Sequence, residues 1–320
     1  MKPRIVICLL LAAMLLCGCT QNEIREDILR ETLPAIDPGA GVGRDVDVTL
    51  YFRLADEPAL VPVQRTVTVR ANEYVEAAVI RQLIAGPAAL YGDLEPVLPP
   101  ATRLLETSRE GGILYVTLSN DILSSANTSA ARDEAELASR LAVYAVVNSL
   151  CTLGGASRVQ IMVDMAGTGE GTRVPPFSLG FTSSDTSSQW LEPMGMEKSV
   201  VVTPKMLVEL ALGHIANGEY AQAYPLFAES ETGGLQKPDY AAFETQMLSL
   251  GTLDSYTVYS TNIVKGQLNG EAEVDLKWTM REDGLSHTAN KAILQMIPEG
   301  DLYKIGYYSL LNILLAGGGA

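Results

Sequence analysis

The chain has 320 residues, 47% of them hydrophobic, and a formal net charge of −15 at neutral pH. That length allows two domains of ordinary size, each with its own hydrophobic core. An acidic protein repels nucleic acids and anionic lipid headgroups, so neither is expected as a ligand.

The first 19 residues combine a basic start with a short apolar stretch. Lys2 and Arg4 precede an uninterrupted apolar run at 5–16, and the segment ends in Leu-Cys-Gly-Cys at Cys19. This order is typical of a secretory signal peptide, and the run is shorter than the roughly 20 residues that span a bilayer. The Leu-x-Gly-Cys ending resembles the lipobox of bacterial lipoproteins. It implies cleavage after Gly18 and acylation of Cys19 with diacylglycerol and palmitoyl chains.

Cys17 is the competing site of lipidation, but bulky Leu16 stands before it, where a lipobox has a small residue. A plain signal peptide that happens to contain cysteines is the alternative interpretation. Loss of residues 1–18 removes two basic side chains and takes the formal charge from −15 to −17. Cys151 is then left without a partner cysteine, and we expect it to be a buried, unreactive thiol.

Residues 19–44 are expected to form a tether, rich first in charged residues and then in proline and glycine. Residues 45–165 predict the first α+β domain, in the order β-β-α-β-β-α-β. Its strands are predicted at 46–52, 63–70, 103–109, 113–119 and 159–163, and its helices at 73–85, capped by Asn72, and at 132–153. Helices packed on a sheet give an α+β sandwich.

Residues 166–202 are rich in Gly, Ser, Thr and Pro and are expected to form a connector between domains. Residues 203–315 predict a second α+β domain, in which helices precede a curved antiparallel sheet. Helices are predicted from 204, with a break near Asn217, and at 239–250; strands are predicted at 255–264, 272–280, 286–297 and 302–311. The last apolar stretch, 302–315, is interpreted as a strand or buried segment and not as a second anchor.

The sequence offers few residues for catalysis. His214 and His287 are the two histidines, and neither has the spacing of a zinc site. We expect a structural or surface role for His214 and an exposed position for His287. The segment 167–171, Gly-Thr-Gly-Glu-Gly, resembles a phosphate cradle but lacks the Lys-Ser/Thr that follows in such motifs, so we expect a flexible loop. No catalytic residue, metal or cofactor is predicted.

Six aromatic residues fall on predicted strands of the second domain. They could line a pocket or a partner surface, but core packing is the favoured interpretation. They are Tyr256, Tyr259, Trp278, Tyr303, Tyr307 and Tyr308.

Four short segments, in this order, carry a family resemblance. They are Leu-Ile-Ala-Gly-Pro at 83–87, Pro-Pro-Ala-Thr at 99–102, the hairpin strand at 113–119, and Leu-Cys-Thr-Leu at 150–153 before Val-Gln-Ile-Met-Val-Asp at 159–164. Together they resemble the GerMN domain of sporulation and germination proteins. Ala101 and Met165 stand where that pattern usually has glycine. Residues 203–315 resemble nuclear-transport-factor-2-like (NTF2-like) domains more weakly, in element order alone.

The GerMN resemblance implies a lipoprotein of endospore-forming bacteria and relatives, built of modules that assemble envelope complexes and are not known as catalysts. We therefore expect a non-enzymatic adaptor, lipid-anchored through Cys19 on the extracytoplasmic face of the cell membrane. Its expected partners are envelope or sporulation proteins, with peptidoglycan as a further candidate. One alternative is a peptidoglycan-active enzyme, which needs two carboxylates facing across a cleft. The other is a solute-binding lipoprotein of a transporter, which needs two similar lobes.

Overall fold

A computed structural model describes residues 43–89, 91–127, 132–182, 189–263 and 269–316. These ranges contain ten β-strands, six α-helices and three short 3-10 helices. Within them, no helix is both long enough and apolar enough to cross a membrane. The predicted signal peptide, the lipidation site Cys19 and most of the tether lie outside the described residues.

The first half of the chain follows the predicted order of strands and helices, with one additional two-residue strand before the hairpin. Its strands are β1 (Arg44–Leu54), β2 (Leu60–Val69), β3 (Leu94–Glu95), β4 (Leu104–Glu110), β5 (Ile113–Ser119) and β6 (Arg158–Asp164). Its helices are α1 (Val75–Ala85) and α2 (Arg132–Cys151). The strands divide between two three-stranded sheets, ordered β2-β1-β3 and β4-β5-β6. The helix predicted to begin at Glu73 instead has Tyr74 at its N-cap position, so the prediction of Asn72 as the cap is wrong.

Local chemistry explains the hairpin of β4 and β5. Glu110 pairs with Ile113 across the two-residue loop Gly111-Gly112, and both glycines have positive φ, 57° and 79°. Two-residue loops of this backbone twist are the commonest tight connections between antiparallel strands, and they favour glycine. The hairpin therefore lies where the sequence predicts it, and β5 continues into a parallel pairing with β6.

Helix α2 joins the two sheets of the first half. It packs against β6, and the Ser149 hydroxyl accepts a hydrogen bond of 3.1 Å from the main-chain N–H of Tyr51 in β1. The last five residues of β1, 50–54, are all buried, so that part of the strand is covered on both faces. The start of the β1–β2 pair is polar instead. Its exposed side chains hydrogen-bond across the strands, Thr66 to Asp47 and Thr68 to Asp45.

Much of the predicted connector is hydrogen-bonded to the first half. Thr172 and Met194 each exchange two main-chain hydrogen bonds with β6, at Val163 and Val159, with N···O distances of 2.8–2.9 Å. Residues 200 and 202 bond in the same way to Leu60, at the edge of β2. Asp45–Thr68 and Tyr74–Ala320 form one compact unit. The division of the chain into separate domains at 166–202 stays a prediction.

The second half has the predicted helices followed by a curled antiparallel sheet. Its helices are α3 (Pro204–Asn217), α4 (Tyr220–Ala223), α5 (Tyr240–Leu250) and α6 (Tyr307–Ala316), and its strands are β7 (Gly251–Asn262), β8 (Gly270–Met280), β9 (Ser286–Glu299) and β10 (Leu302–Ile305). The strand order is β10-β9-β8-β7. Side-chain caps start α3 and α5, where Thr203 and Asp239 accept main-chain N–H groups at 3.1 and 2.9 Å. Irregular pairings in β7 and β8 bend the sheet.

The prediction of a strand through residue 311 is wrong. Strand β10 ends at Ile305, and the apolar run that follows forms helix α6. Its buried residues are Tyr307, Leu310 and Leu314, which have helical spacing. A short apolar run does not distinguish strand from helix. A distant residue stabilises the helix here, because the Glu231 carboxylate accepts the main-chain N–H of Tyr308 at 2.6 Å and so caps its first turn.

Candidate functional site

Two clusters of ionisable side chains lie where the first and second halves of the chain meet. His214 lies in the last turn of α3. Its Nε2 is 2.7 Å from Oε1 of Glu57, in the loop between β1 and β2, and its Nδ1 is 2.8 Å from Oε2 of Glu219. Burial lowers the pKa of His214, but the hydrogen bonds and charges of the two carboxylates outweigh it, so the net pKa is raised. The structural role predicted for His214 fits this geometry.

A second ionic cluster joins the halves through a buried lysine. Lys304 of β10 has a side chain that is 3% exposed. Its ammonium pairs with Asp93 of the first half and lies 2.8 Å from Oε1 of Glu299. Burial lowers the pKa of Lys304, and hydrogen bonds to Asp93 and Glu299 raise it further than burial lowers it. The lysine therefore stays charged across the physiological range.

A cavity of about 140 Å³ adjoins this lysine cluster. Its walls include Tyr91, whose hydroxyl donates to Oδ2 of Asp301 at 2.9 Å. That hydrogen bond raises the pKa of Tyr91. The hydroxyl and the ammonium are thus both bonded to carboxylates at the cavity wall.

These clusters bear directly on the possibility of paired catalytic carboxylates. Glu57 and Glu219 approach each other across His214, and Asp93 and Glu299 approach each other across Lys304. In each pair a basic side chain occupies the space between the carboxylates. A glycoside hydrolase needs that space for the sugar and the attacking water. Neither pair has the arrangement of such an enzyme.

The Gly-rich loop at 167–171 is organised by Asp164 at the end of β6. Its carboxylate accepts the main-chain N–H groups of Gly169 and Thr168 at 2.8 and 3.0 Å. The bond from Gly169 is the main reason that the pKa of Asp164 is lowered, with Thr168 and the two preceding residues adding to it. The loop predicted to be flexible therefore wraps around a carboxylate of its own chain. A phosphate cradle needs these N–H groups for its ligand.

The remaining candidates from the sequence are held by packing. His287, predicted to be exposed, has a side chain only 13% exposed and stacks on Trp278 with ring centroids 5.9 Å apart. Cys151 is predicted to be buried, but the structure shows it partly exposed. Burial raises the pKa of its thiol, which lowers the reactive thiolate fraction. Trp278 and Tyr307 lie in the core as favoured, whereas Tyr259 is 48% exposed.

A surface groove of about 230 Å³ lies beside the start of α1. Arg109 of β4 lines it, pairs with the buried carboxylate of Glu76 and donates to the main-chain oxygen of Gly155 at 2.7 Å. Tyr74 borders the groove and is 74% exposed. Within the described ranges, no group of three or more His, Cys, Asp or Glu side chains is arranged to hold a metal ion.

Residues 49–165 match the Germane family, described as "Sporulation and spore germination". No curated protein matches the chain. The chain is similar to the tandem GerMN domains of the sporulation protein GerM from Bacillus subtilis, with 15% identity over 51% of this chain and a TM-score of 0.34. The matched part of this chain spans 50% of the length of that structure. It is also similar to a Clostridium perfringens protein provisionally named a lipoprotein, with 26% identity over 42% of this chain and 81% of that chain, and a TM-score of 0.24.

The family match coincides with the part of the chain in which the sequence motifs predict a GerMN domain. It includes most of β1 and all of the strands and helices from β2 to β6. The predicted α+β class is confirmed in both halves of the chain. Residues 49–165 of this protein are therefore similar to the domain of the sporulation and germination family, and this region is called GerMN-like below.

Proposed function

We propose that this protein is an exported lipoprotein that serves as a non-catalytic assembly module in sporulation, germination or cell-envelope remodelling. The family match at 49–165 supports the process. The basic and apolar start, ending in Leu-Cys-Gly-Cys, supports export and an acyl anchor on Cys19. The anchor holds the folded part at the extracytoplasmic face of the cell membrane, where envelope proteins are its partners.

One observation supports the non-catalytic role more than any other. Three partly or fully buried ionisable side chains, which are the candidates for acid–base chemistry considered above, are bonded to other groups of the chain. His214 is bonded to two carboxylates, Asp164 to its own loop, and Lys304 to Asp93 and Glu299. A catalytic acid or base must instead reach a proton of the substrate. The bonds of these three groups are therefore consistent with a role in holding the fold together.

Lipid labelling tests the anchor. With a labelled fatty acid, the wild-type protein and Cys17→Ala should both be acylated and processed. Cys19→Ala should accumulate as an unprocessed precursor without label. Acylation that is lost in Cys17→Ala and kept in Cys19→Ala would move the site to Cys17. A wild-type protein that takes up no label would refute a lipid anchor.

Incubation with purified peptidoglycan tests the non-catalytic role. The full chain, in detergent micelles, should release no soluble muropeptides, whereas a muramidase control does. Release by the wild-type protein that disappears in His214→Gln or Asp164→Asn would show an enzyme. Sedimentation of the protein with the peptidoglycan, without release, would identify the wall as a binding partner.

A further inference from the structure

The contact between Glu57, His214 and Glu219, here called the histidine bridge, depends on a proton. Both ring nitrogens of His214 lie within 2.8 Å of a carboxylate oxygen. A neutral imidazole has one N–H donor and one lone pair, so it can donate to only one carboxylate. The other nitrogen would then present its lone pair to an anionic oxygen. The observed geometry therefore requires one further proton within the three groups, and the imidazole is the most basic of them, so we assign it to a doubly protonated imidazolium.

The two carboxylates differ in what they lose when the proton leaves. The side chain of Glu219 is 47% exposed and can turn into water at little cost. That of Glu57 is 3% exposed. A buried carboxylate without a positive partner is strongly unfavourable. Deprotonation of His214 thus acts mainly on Glu57, the member of the histidine bridge that belongs to the first half of the chain.

The loop that carries Glu57 is small and constrained. Main-chain hydrogen bonds of 3.0 Å join Leu54 to Ala59 and Glu57 to Leu54. Asp56 has a φ of 60°, an unfavourable region for a residue other than glycine. Arg53 donates from Nε to the main-chain oxygen of Glu57 at 2.9 Å, while its other contacts are Glu134 and Glu95. Arg53 and Asp56 are thus the charged groups that flank Glu57 on its own side.

We propose that the histidine bridge is a proton-controlled contact between the GerMN-like part and the C-terminal part, closed by the His214 imidazolium and loosened when it loses its proton. The raised pKa of His214 gives the direction. The contribution of the histidine bridge to stability is complete below the ordinary histidine pKa of about 6.5. It is lost as the pH rises through the higher pKa of the folded state. The proposal is independent of the proposed function.

The lysine cluster supplies a matched control. Lys304 also joins the two parts through a carboxylate of each, Asp93 and Glu299. Its ammonium stays charged over the range in which a histidine titrates. Asp93→Asn should therefore weaken the contact between the parts by the same amount throughout the pH range in which His214 titrates. Glu57→Gln and His214→Gln should weaken it in a pH-dependent way.

The test is the thermal midpoint of the full chain in detergent micelles, from about pH 5.5 to about pH 9. The difference between wild type and His214→Gln should be largest at the acid end and fall by at least half as the pH rises. Glu57→Gln should show the same trend, which keeps the test valid should His214→Gln fail to fold. The difference between wild type and Asp93→Asn should stay level.

Nuclear magnetic resonance of the imidazole groups gives a second reading on the wild-type protein. The His214 signals, assigned by their absence in His214→Gln, should titrate above about pH 6.5. Hydrogen exchange of the loop at 55–59, corrected for the intrinsic rate, should accelerate several-fold over the same titration. A His214 that titrates at or below the ordinary value, or midpoint differences that do not change with pH, would overturn the proposal.

Discussion

Replacing Asn148 by alanine tests whether the segment after the first half is part of its fold. Asn148 lies on α2 and is fully buried. Its amide donates to the main-chain oxygen of Glu197 at 2.9 Å and accepts the main-chain N–H of Glu197 at 2.8 Å. One side chain thus satisfies both main-chain groups of a residue 49 positions away. Alanine removes both bonds at once.

The expected loss follows from the two bonds and their surroundings. Each intramolecular hydrogen bond contributes about 1 kcal/mol net, and a partner that stays buried and unpaired costs about 1–3 kcal/mol. Glu197 is only partly buried, so water can reach its main chain after the change. Asn148→Ala should therefore lower the free energy of unfolding by about 2–3 kcal/mol, and the value should lie closer to about 2 than to about 3 kcal/mol.

Urea denaturation measures the loss, and trypsin locates it. Exposed Lys198 lies next to Glu197, so cleavage after Lys198 should become faster in Asn148→Ala. Ser199→Ala is the matched control, because Ser199 bonds to the same Glu197 at 2.7 Å but is exposed. It should cost less than about 1 kcal/mol. An Asn148→Ala protein with wild-type stability and unchanged cleavage at Lys198 would refute this reasoning.

Three further predictions follow from other contacts. Gly180 has a φ of 73°, and a Cβ there would lie 2.2 Å from a main-chain oxygen of α2, whereas a Cβ at Gly111 would meet open space. Gly180→Ala should therefore lower the thermal midpoint far more than Gly111→Ala, and equal shifts would argue against the clash. Asp164→Asn should lower the urea midpoint at neutral pH. The difference from wild type should begin to shrink below about pH 4 and disappear only as the pH falls through the lowered pKa of the folded state, because a carboxylate with a lowered pKa loses its contribution on protonation; a difference that does not shrink in acid would contradict this. A fragment spanning 45–202 should unfold at a higher urea concentration than one spanning 45–165, and equal midpoints would mean that the connector stabilises nothing.

The sequence predicts what local chemistry decides. The hairpin of β4 and β5 depends on Gly111 and Gly112, and the starts of α3 and α5 depend on Thr203 and Asp239. These signals lie within a few residues of the structure that they determine. The GerMN-like domain was recognisable for the same reason, since its motifs are turns and helix ends in a fixed order.

Contacts between distant residues decide what the sequence does not show. Glu57 and His214 are 157 residues apart, and no pattern pairs them in advance. The sequence predicts a strand where helix α6 lies, because the residue that caps the helix, Glu231, lies 77 residues from Tyr308. Each of these features depends on tertiary structure that local patterns do not encode.

Crosslinking in intact cells tests the central claim, that the protein is a lipid-anchored assembly module, most directly. A photoreactive residue would be placed at exposed Tyr74 or Tyr259, and the captured proteins identified. The account predicts a reproducible set of envelope or sporulation proteins from the wild-type chain, and loss of that set in Cys19→Ala. Recovery of muropeptides or small solutes alone, with the same result for Cys19→Ala, would contradict it.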